Sequence, residues 1–272
     1  MKFEMTNRIE KKFTQLRKEK KKALVTFITA GDPSPKICEK ILNDLPKNGV
    51  DMIEIGIPFS DPMADGPTIQ RSSQRAISSG SNLKKTFEIV RKFRIKNNDI
   101  PIVLMGYFNP IYQFSLKKFF IKCKSVGVDG VIIVDLPPEE NDLINQYTIK
   151  YDVHNIRLIT PTTDSNRLKK VLKHTSGFLY YVSIAGITGT KKPLLSGVKG
   201  AISKIKQNTK LPVLVGFGID SHQQIKSLNQ IADGCVIGSA IIKIIEDSLN
   251  KNLNSEKISK NIGDFLLKLK RG

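Results

Sequence analysis

Short apolar runs alternate along the chain with segments in which apolar residues recur every three or four positions. The runs are rich in β-branched residues, and eight of them fit buried strands, at residues 23–29, 52–57, 102–105, 130–134, 156–160, 178–182, 213–216 and 235–237. Amphipathic segments between them fit helices, for example residues 83–96, 116–126, 139–151, 166–174 and 198–207. Nearly continuous apolar strands that alternate with helices predict parallel pairing through βαβ crossovers. Eight such units favour a (β/α)8 TIM barrel, an α/β fold, over an open sheet.

Two further amphipathic segments flank the predicted barrel. Ile9, Phe13 and Leu16 form one stripe, which suits an extra N-terminal helix closing the bottom of the barrel. A last helix is predicted from the spacing of its apolar residues, which are Ile258, Ile262, Phe265, Leu266 and Leu269. No low-complexity segment marks a second domain, so we expect residues 1–272 to form a single domain.

The composition fits this picture. A chain of 272 residues that is 40% hydrophobic can bury a substantial core. The first 22 residues are charged throughout, and no apolar run reaches membrane-spanning length, so we expect a soluble, cytoplasmic protein without a membrane partner. Cys38, Cys123 and Cys235 show no C-x-x-C spacing, which indicates buried, reduced thiols.

The net charge of +19 is the most unusual bulk property and could attract nucleic acid, anionic lipid or a phosphorylated substrate. The lysines, however, are scattered over predicted outward helix faces. Aromatic residues interleaved with lysines, which a nucleic-acid-binding face would need, are not apparent. The abundance of Lys, Asn and Ile matches a bias toward AT-rich codons. We therefore expect a solvated surface and no nucleic-acid partner.

In this fold the chemistry lies at the C-terminal ends of the strands. The two longest predicted loops follow strand two, from residue 58 to about 81, and strand six, from 183 to 197. Loops of this length on a compact barrel are usually functional. They predict a site covered by two lids.

Glu54 interrupts the apolar run of the second strand. Strand alternation places Met52, Glu54 and Gly56 on one face, so we expect Glu54 to point into the barrel near its top, with Gly56 leaving space above it. A carboxyl group desolvated there has a raised pKa and can act as acid and base in turn. The alternative is a structural glutamate paired with a buried cation.

A second carboxylate cannot be chosen from the residue pattern alone. Asp61 and Asp65 lie on the loop after strand two, and Asp135 ends strand four. In a Ser-Asp-Pro or Ala-Asp-Gly context an aspartate is often a turn residue that bonds its own backbone. All three remain candidates at this point.

Glycine-rich turns follow strands seven and eight, and they contain Gly218, Gly238 and Ser239. TIM barrels frequently bind phosphate between these two loops, where backbone N–H groups and a helix N-terminus face the anion. The alternative is that these glycines only allow tight turns. Their position favours a phosphate site.

Several motifs together resemble the tryptophan synthase alpha subunit family. The most specific is residues 54–70 (EIGIPFSDPMADGPTIQ), and the others follow in family order: 27–33 (FITAGDP), 105–110 (MGYFNP), 135–137 (DLP), 181–189 (YVSIAGITG), 216–219 (GFGI) and 237–240 (IGSA). The resemblance covers nearly the whole chain. It implies a TIM barrel that cleaves indole-3-glycerol phosphate to indole and glyceraldehyde 3-phosphate without a cofactor of its own. It also implies a beta-subunit partner, in an alpha2-beta2 heterotetramer, that uses pyridoxal phosphate to join indole with serine.

The resemblance also implies roles for individual residues. The family's catalytic glutamate matches Glu54 and its catalytic aspartate matches Asp65. The implied substrate-binding residues are Phe27, Met105, Tyr180, Thr188, Gly189, Phe217, Gly218, Ile237, Gly238 and Ser239. Of these, the glycines and Ser239 match the phosphate site, whereas the apolar residues would form walls around the indole.

Two rivals remain from the sequence. A different phosphosugar enzyme, such as an epimerase or isomerase, would share the phosphate loops but would not need the motif at residues 54–70. A catalytically weak alpha subunit that mainly activates its partner is the other alternative, and intact Glu54 and Asp65 argue against it.

Overall fold

The computed structural model describes residues 7–183, 195–216 and 218–271. Within these ranges nine strands form one parallel sheet that curves into a nearly closed barrel, in the order β5-β4-β3-β2-β1-β9-β8-β7-β6. The strands are β1 (Ala23–Thr29), β2 (Met52–Gly56), β3 (Ile102–Gly106), β4 (Gly130–Ile133), β5 (His154–Asn155), β6 (Arg157–Ile159), β7 (Leu179–Val182), β8 (Val213–Gly216) and β9 (Gly234–Ile237). The predicted α/β barrel is thereby confirmed.

Helices cover the outside of the barrel. They are α1 (Arg8–Lys18), α2 (Pro35–Asp44), α3 (Pro67–Ser78), α4 (Leu83–Lys96), α5 (Phe108–Gln113), α6 (Leu116–Val126), α7 (Asp142–Tyr151), α8 (Ser165–Lys173), α9 (Leu195–Asn208), α10 (His222–Asn229), α11 (Ser239–Asn250) and α12 (Ser255–Arg271). Short 3₁₀ helices lie at Pro46–Asn48 and Pro138–Glu140. In the part of the chain that the structure describes, each helix is too short or too polar to cross a membrane.

The strands separate two apolar layers. Residues that point into the barrel form one cluster with α1, whereas the residues between them pack outward against the helices. Ile9, Phe13 and Leu16 of α1 belong to the inner cluster, so α1 closes the bottom of the barrel as predicted. This closure leaves the opposite end, at the C-terminal ends of the strands, as the open end.

The fifth predicted strand, residues 156–160, is divided between two neighbours. β5 pairs with β4, and β6 pairs with β7, so the chain changes partner at Ile156. Its inner side chain packs in the barrel, and its N–H donates to Val131 O at 2.9 Å. Close to this change of partner, the buried Arg157 donates to the Leu136 carbonyl oxygen and, at 2.7 Å, to Asn141 Oδ1. Side-chain bonds therefore bridge the sheet where the backbone ladder ends.

The loop after β2 is shorter than predicted. The loop covers residues 57–66, and α3 follows it directly with Pro67 in its first turn. The buried positions of α3 are Ser72, Ser73 and Ala76, and the Ser72 hydroxyl is 2.6 Å from Thr29 Oγ1. Small and polar residues on the buried face remove the apolar periodicity from which helices are predicted. Of the other predicted lid, residues 183–197, the part from 184 to 194 lies outside the described residues, and α9 begins at Leu195.

Candidate active site

A cavity of about 800 Å³ opens at the C-terminal ends of the strands. Eight of the predicted site residues line it, namely Phe27, Glu54, Asp65, Met105, Tyr180, Gly218, Gly238 and Ser239. Most of its described wall is apolar, with two carboxyl groups among these residues. Thr188, Gly189 and Phe217 lie outside the described residues.

Glu54 points into the barrel from the middle of β2, between Met52 and Gly56, as strand alternation predicts. Its relative exposure is 1%, and neither carboxyl oxygen has a hydrogen-bond partner among the residues that the structure describes. We expected Gly56 to leave open space above Glu54, but Phe27 fills that space. A Cβ atom at Gly56 would lie 2.5 Å from Phe27 Cζ. The Glu54 carboxyl is therefore enclosed by the apolar wall.

This environment changes the acidity of Glu54. Burial raises the pKa of Glu54 to about 8, and the nearby carboxyl of Asp65 adds to the rise. Among the described residues, no cation is paired with Glu54. The alternative of a structural ion pair is therefore not supported. A carboxyl that keeps its proton at neutral pH is suited to donate it and then to accept another.

Asp65 lies near the end of the loop that follows β2. Its N–H donates to Pro62 O at 3.0 Å, and its own carbonyl oxygen accepts from Gln70 Nε2 at 2.9 Å. Burial raises the pKa of Asp65 to about 6, and hydrogen bonding with the Tyr107 hydroxyl opposes the rise. That hydroxyl also accepts a bond from Ala64 N at 3.0 Å. Tyr107, which the sequence did not single out, thus fixes the loop at the carboxylate.

The other two candidate aspartates are placed differently. Asp61 is exposed, and it accepts a short 2.5 Å bond from the Ser60 hydroxyl. Asp135 lines the cavity, but its Oδ1 accepts from Phe108 N at 2.7 Å, at the start of α5. Asp61 is thus bound to the side chain of its neighbour in the loop, and Asp135 holds the neighbouring loop.

Tyr180 points inward from β7 and contacts the cavity. A Cβ atom at Gly216 would overlap the Tyr180 hydroxyl, so the absence of a side chain on β8 makes room for this ring. Burial raises the pKa of Tyr180 well above its ordinary value, and the charge of Glu54 adds to the effect. Tyr180 therefore remains a neutral hydroxyl close to Glu54.

The predicted phosphate turns both line the cavity, through Gly218 after β8 and through Gly238 and Ser239 after β9. Gly218 has a φ of +60°, which favours glycine, and Gly238 is the N-cap of α11. Ser239 is the first residue of that helix. Because the first N–H groups of a helix lack intrahelical acceptors, they can bind an anion there.

Of the predicted site residues that the structure describes, Ile237 is the one that does not line the cavity. It packs outward in the helix-facing layer, whereas its neighbour Val236 lines the cavity. The register explains this, since Val236 pairs with the inward Val25. A continuously apolar strand gives no alternation from which the inward residue can be recognised.

Four other residues of the cavity wall were not predicted, because their strands are also continuously apolar. They are Ile133, Val134, Leu158 and Val182. On each strand, counting every second position from a residue that points inward would have identified some of them.

Known proteins resemble the chain over most of its length. The family model described as "Tryptophan synthase alpha chain" matches residues 13–266. A crystal structure of tryptophan synthase subunit alpha from Legionella pneumophila str. Paris is 37% identical, covers 98% of each chain and has a TM-score of 0.90. A chain of the tryptophan synthase complex from Pyrococcus furiosus is 34% identical over 91% of this chain and 97% of that chain, with a TM-score of 0.81.

A more distant relative has the same fold. A chain of tryptophan synthase from M. tuberculosis, in its aminoacrylate-bound form, is 25% identical over 97% of this chain and 100% of that chain, with a TM-score of 0.84. Because the family model spans most of the sequence, the chain belongs to the tryptophan synthase alpha chain family, lyases of tryptophan biosynthesis that cleave indole-3-glycerol phosphate.

Proposed function

We propose that the cavity performs the retro-aldol cleavage of indole-3-glycerol phosphate with Glu54 and Asp65 as its catalytic residues. The observation that carries this assignment is the unpartnered, desolvated Glu54 carboxyl beside a second raised-pKa carboxyl in one apolar cavity. Carboxyl groups with pKa values shifted apart are typical of acid–base sites.

Glu54 supplies two proton transfers. The bond between the indole ring carbon and the first side-chain carbon breaks, its electron pair returns to the ring, and the hydroxyl on that carbon becomes an aldehyde. The ring carbon must gain a proton before cleavage, and the hydroxyl must lose one. A carboxyl with a pKa near 8 is protonated at neutral pH, so Glu54 donates to the ring carbon and then, as a carboxylate, accepts the hydroxyl proton.

Asp65 stabilises the charge that this protonation creates. A pKa of about 6 leaves it mainly ionised at neutral pH. In that form it accepts a hydrogen bond from the indole N–H and stabilises the positive ring, an electrostatic effect that the apolar wall strengthens. Tyr180 helps to hold the Glu54 side chain in place and packs against the substrate. Phe27 and Met105 contact the indole.

The phosphate binds at the turns after β8 and β9. Backbone N–H groups at Gly218 and Gly238, together with Ser239 and the N-terminus of α11, provide the donors. Thr188, Gly189 and Phe217, which lie outside the described residues, complete this binding site in our proposal.

We further propose that the chain has no cofactor of its own and passes indole to a tryptophan synthase beta subunit that holds pyridoxal phosphate. Two of the similar structures are tryptophan synthases, and one of them is described as a complex. An alpha2-beta2 heterotetramer in the cytoplasm is the arrangement that we expect.

The test is the release of indole from indole-3-glycerol phosphate by the purified chain. Glu54→Gln keeps the shape of the side chain but cannot exchange protons, so cleavage should fall at least ~100-fold, as for other general acid–base residues. Asp65→Asn should have a similarly large effect.

Asp61→Asn is the matched control, because Asp61 is an exposed aspartate of the same loop. It should retain most of the activity. Wild-type activity in Glu54→Gln would refute the assigned chemistry, and equal losses in Asp61→Asn and Asp65→Asn would point to loop damage instead.

A further inference from the structure

The backbone of Asp65 is fixed at both of its polar groups. Its N–H binds Pro62 O, and its carbonyl oxygen binds Gln70 Nε2 at 2.9 Å. Pro67 follows two residues later in the first turn of α3 and restricts the chain there. The side chain of Gln70 is therefore the one contact from α3 that reaches back to the Asp65 peptide among the hydrogen bonds of the described residues.

Gln70 extends from a helix that is itself firmly anchored. Five residues further along α3, Arg75 makes a two-point ion pair with Asp32, with distances of 2.7 and 2.8 Å. Asp32 is 1% exposed, so this pair is nearly desolvated on the carboxylate side. Arg71 makes a second two-point pair with Glu246 of α11, at 2.6 and 2.9 Å. Planar pairs of this kind fix orientation as well as distance.

These contacts attach α3 to the β1 loop and to the helix that begins at Ser239. Gln70 is half-buried, and it is not among the residues that line the described cavity. Whatever it contributes to the reaction acts through Asp65. A carboxylate displaced by about 1 Å can lose on the order of 100-fold in rate, so a single fixed carbonyl is sufficient to matter.

We propose that Gln70 is a positioning residue that holds Asp65 at the cavity wall, next to the Tyr107 hydroxyl and facing Glu54. The inference rests on the proposed function of Asp65. Without the Gln70 bond the Asp65 peptide can rotate, and its carboxylate turns toward water. In the described hydrogen bonds Gln70 contacts Asp65 and Gly66 and no predicted phosphate-binding residue, so binding of the phosphate is unaffected.

Gln70→Met tests this, since methionine keeps the length of the side chain but lacks the donor. Gln74→Met is the matched control, because Gln74 is exposed and lies one turn further along the same helix. Gln70→Met should lower kcat at least ~10-fold, with KM changed less than ~2-fold, and Gln74→Met should change neither. In an Asp65→Asn background, Gln70→Met should cause no further loss.

A readout that does not need activity separates the two proposals. The Asp65 carboxyl can be titrated by carbon NMR, with the signal assigned from Asp65→Asn. Its pKa should fall from about 6 toward the ordinary value in Gln70→Met, because the carboxylate becomes hydrated, and should stay unchanged in Gln74→Met.

If wild-type protein does not release indole, the proposed function fails while the titration still judges Gln70. An unchanged Asp65 titration in Gln70→Met, or a kcat loss that is fully additive with Asp65→Asn, would overturn the positioning role. Should Gln70→Met not fold, Gln70→Asn, which keeps the amide but is too short to reach the carbonyl, gives the same two measurements.

Discussion

Glu54 occupies an environment that is costly for its charged form. Its carboxyl oxygens have no hydrogen-bond partner within the described ranges, and its neighbours on the strand are apolar. A buried carboxyl without compensation avoids the cost by keeping its proton. The same burial that suits Glu54 to proton transfer therefore makes the folded state sensitive to pH.

The sign of this sensitivity follows from the raised pKa. Between about pH 4.5 and pH 8 the folded protein holds a proton on Glu54 that the unfolded chain has lost. The free energy of unfolding therefore decreases as the pH rises through this window, and the loss is complete above about pH 8. At about 1.4 kcal/mol per pKa unit, the total amounts to a few kcal/mol.

Glu54→Gln removes this dependence. Its free energy of unfolding, measured by urea denaturation, should match that of the wild type near pH 4.5 and exceed it by a few kcal/mol at pH 9. Asp61→Asn should follow the wild-type curve, because Asp61 is exposed. Parallel curves for wild type and Glu54→Gln across this range would mean that the Glu54 carboxyl is hydrated.

The sequence predicts the direction of a side chain well only when polar and apolar residues alternate. Glu54 interrupts an apolar run, so its inward direction follows from position alone. Val236 and Ile237 are both apolar, and only the pairing of β9 with β1 decides between them. Strand alternation could not identify Tyr107 either, because the loop to which it is hydrogen-bonded follows a different strand, β2.

At the scale of elements, β7 and β8 pack together because residue 216 on β8 has no side chain. Tyr180 crosses toward Gly216, where a Cβ atom would overlap its hydroxyl. The ring can therefore stay close to Glu54 only while residue 216 is glycine. Register and side-chain volume together place this part of the site.

Gly216→Ala should displace Tyr180 and reduce indole release strongly, with a stability loss of about 1–3 kcal/mol from overpacking. Gly200→Ala on α9 is the control, since a Cβ atom there meets no described atom within 4 Å. The control should keep its activity and be slightly more stable, because alanine favours helices. Full activity in Gly216→Ala would show that the position of Tyr180 is unimportant for cleavage.

Elements were predicted best where their buried faces are apolar. The bounds of α4 and α6 match the predicted segments, and both helices bury apolar residues. α3 was missed because serines form much of its buried face. The division of the fifth strand was also invisible, since a change of pairing partner leaves no trace in an apolar sequence.

The whole molecule presents an exposed apolar area at its active-site end. Met63 is 77% exposed on the β2 loop, and Tyr112 is 59% exposed on α5, with Phe108 packed against it at a ring distance of 5.6 Å. Asn109 and Pro110 lie on the same short helix. These loops also carry Asp65 and Tyr107, so a partner bound here would contact the elements that position the site.

We therefore expect a beta subunit to bind this end and to raise the rate of cleavage. Tyr112→Ala should weaken the complex in a titration followed by indole release, while the basal rate stays unchanged. Ile95→Ala is the control, because Ile95 is 75% exposed near the end of α4 that leads into β3, at the bottom of the barrel. Linkage requires that a substrate analogue tighten the complex by the factor by which the complex tightens the analogue. A beta subunit that binds without changing the cleavage rate would disprove this coupling.

The change of pairing partner at Ile156 interrupts the strand pairing at one place in the described part of the barrel wall. The other neighbouring strands of the described sheet share a ladder of backbone bonds, but between the upper ends of β4 and β6 the bridge is the Arg157 side chain. Leu136, Arg157 and Thr160 line the cavity at this place. The width of the mouth at this place is therefore set by the hydrogen bonds of one buried side chain.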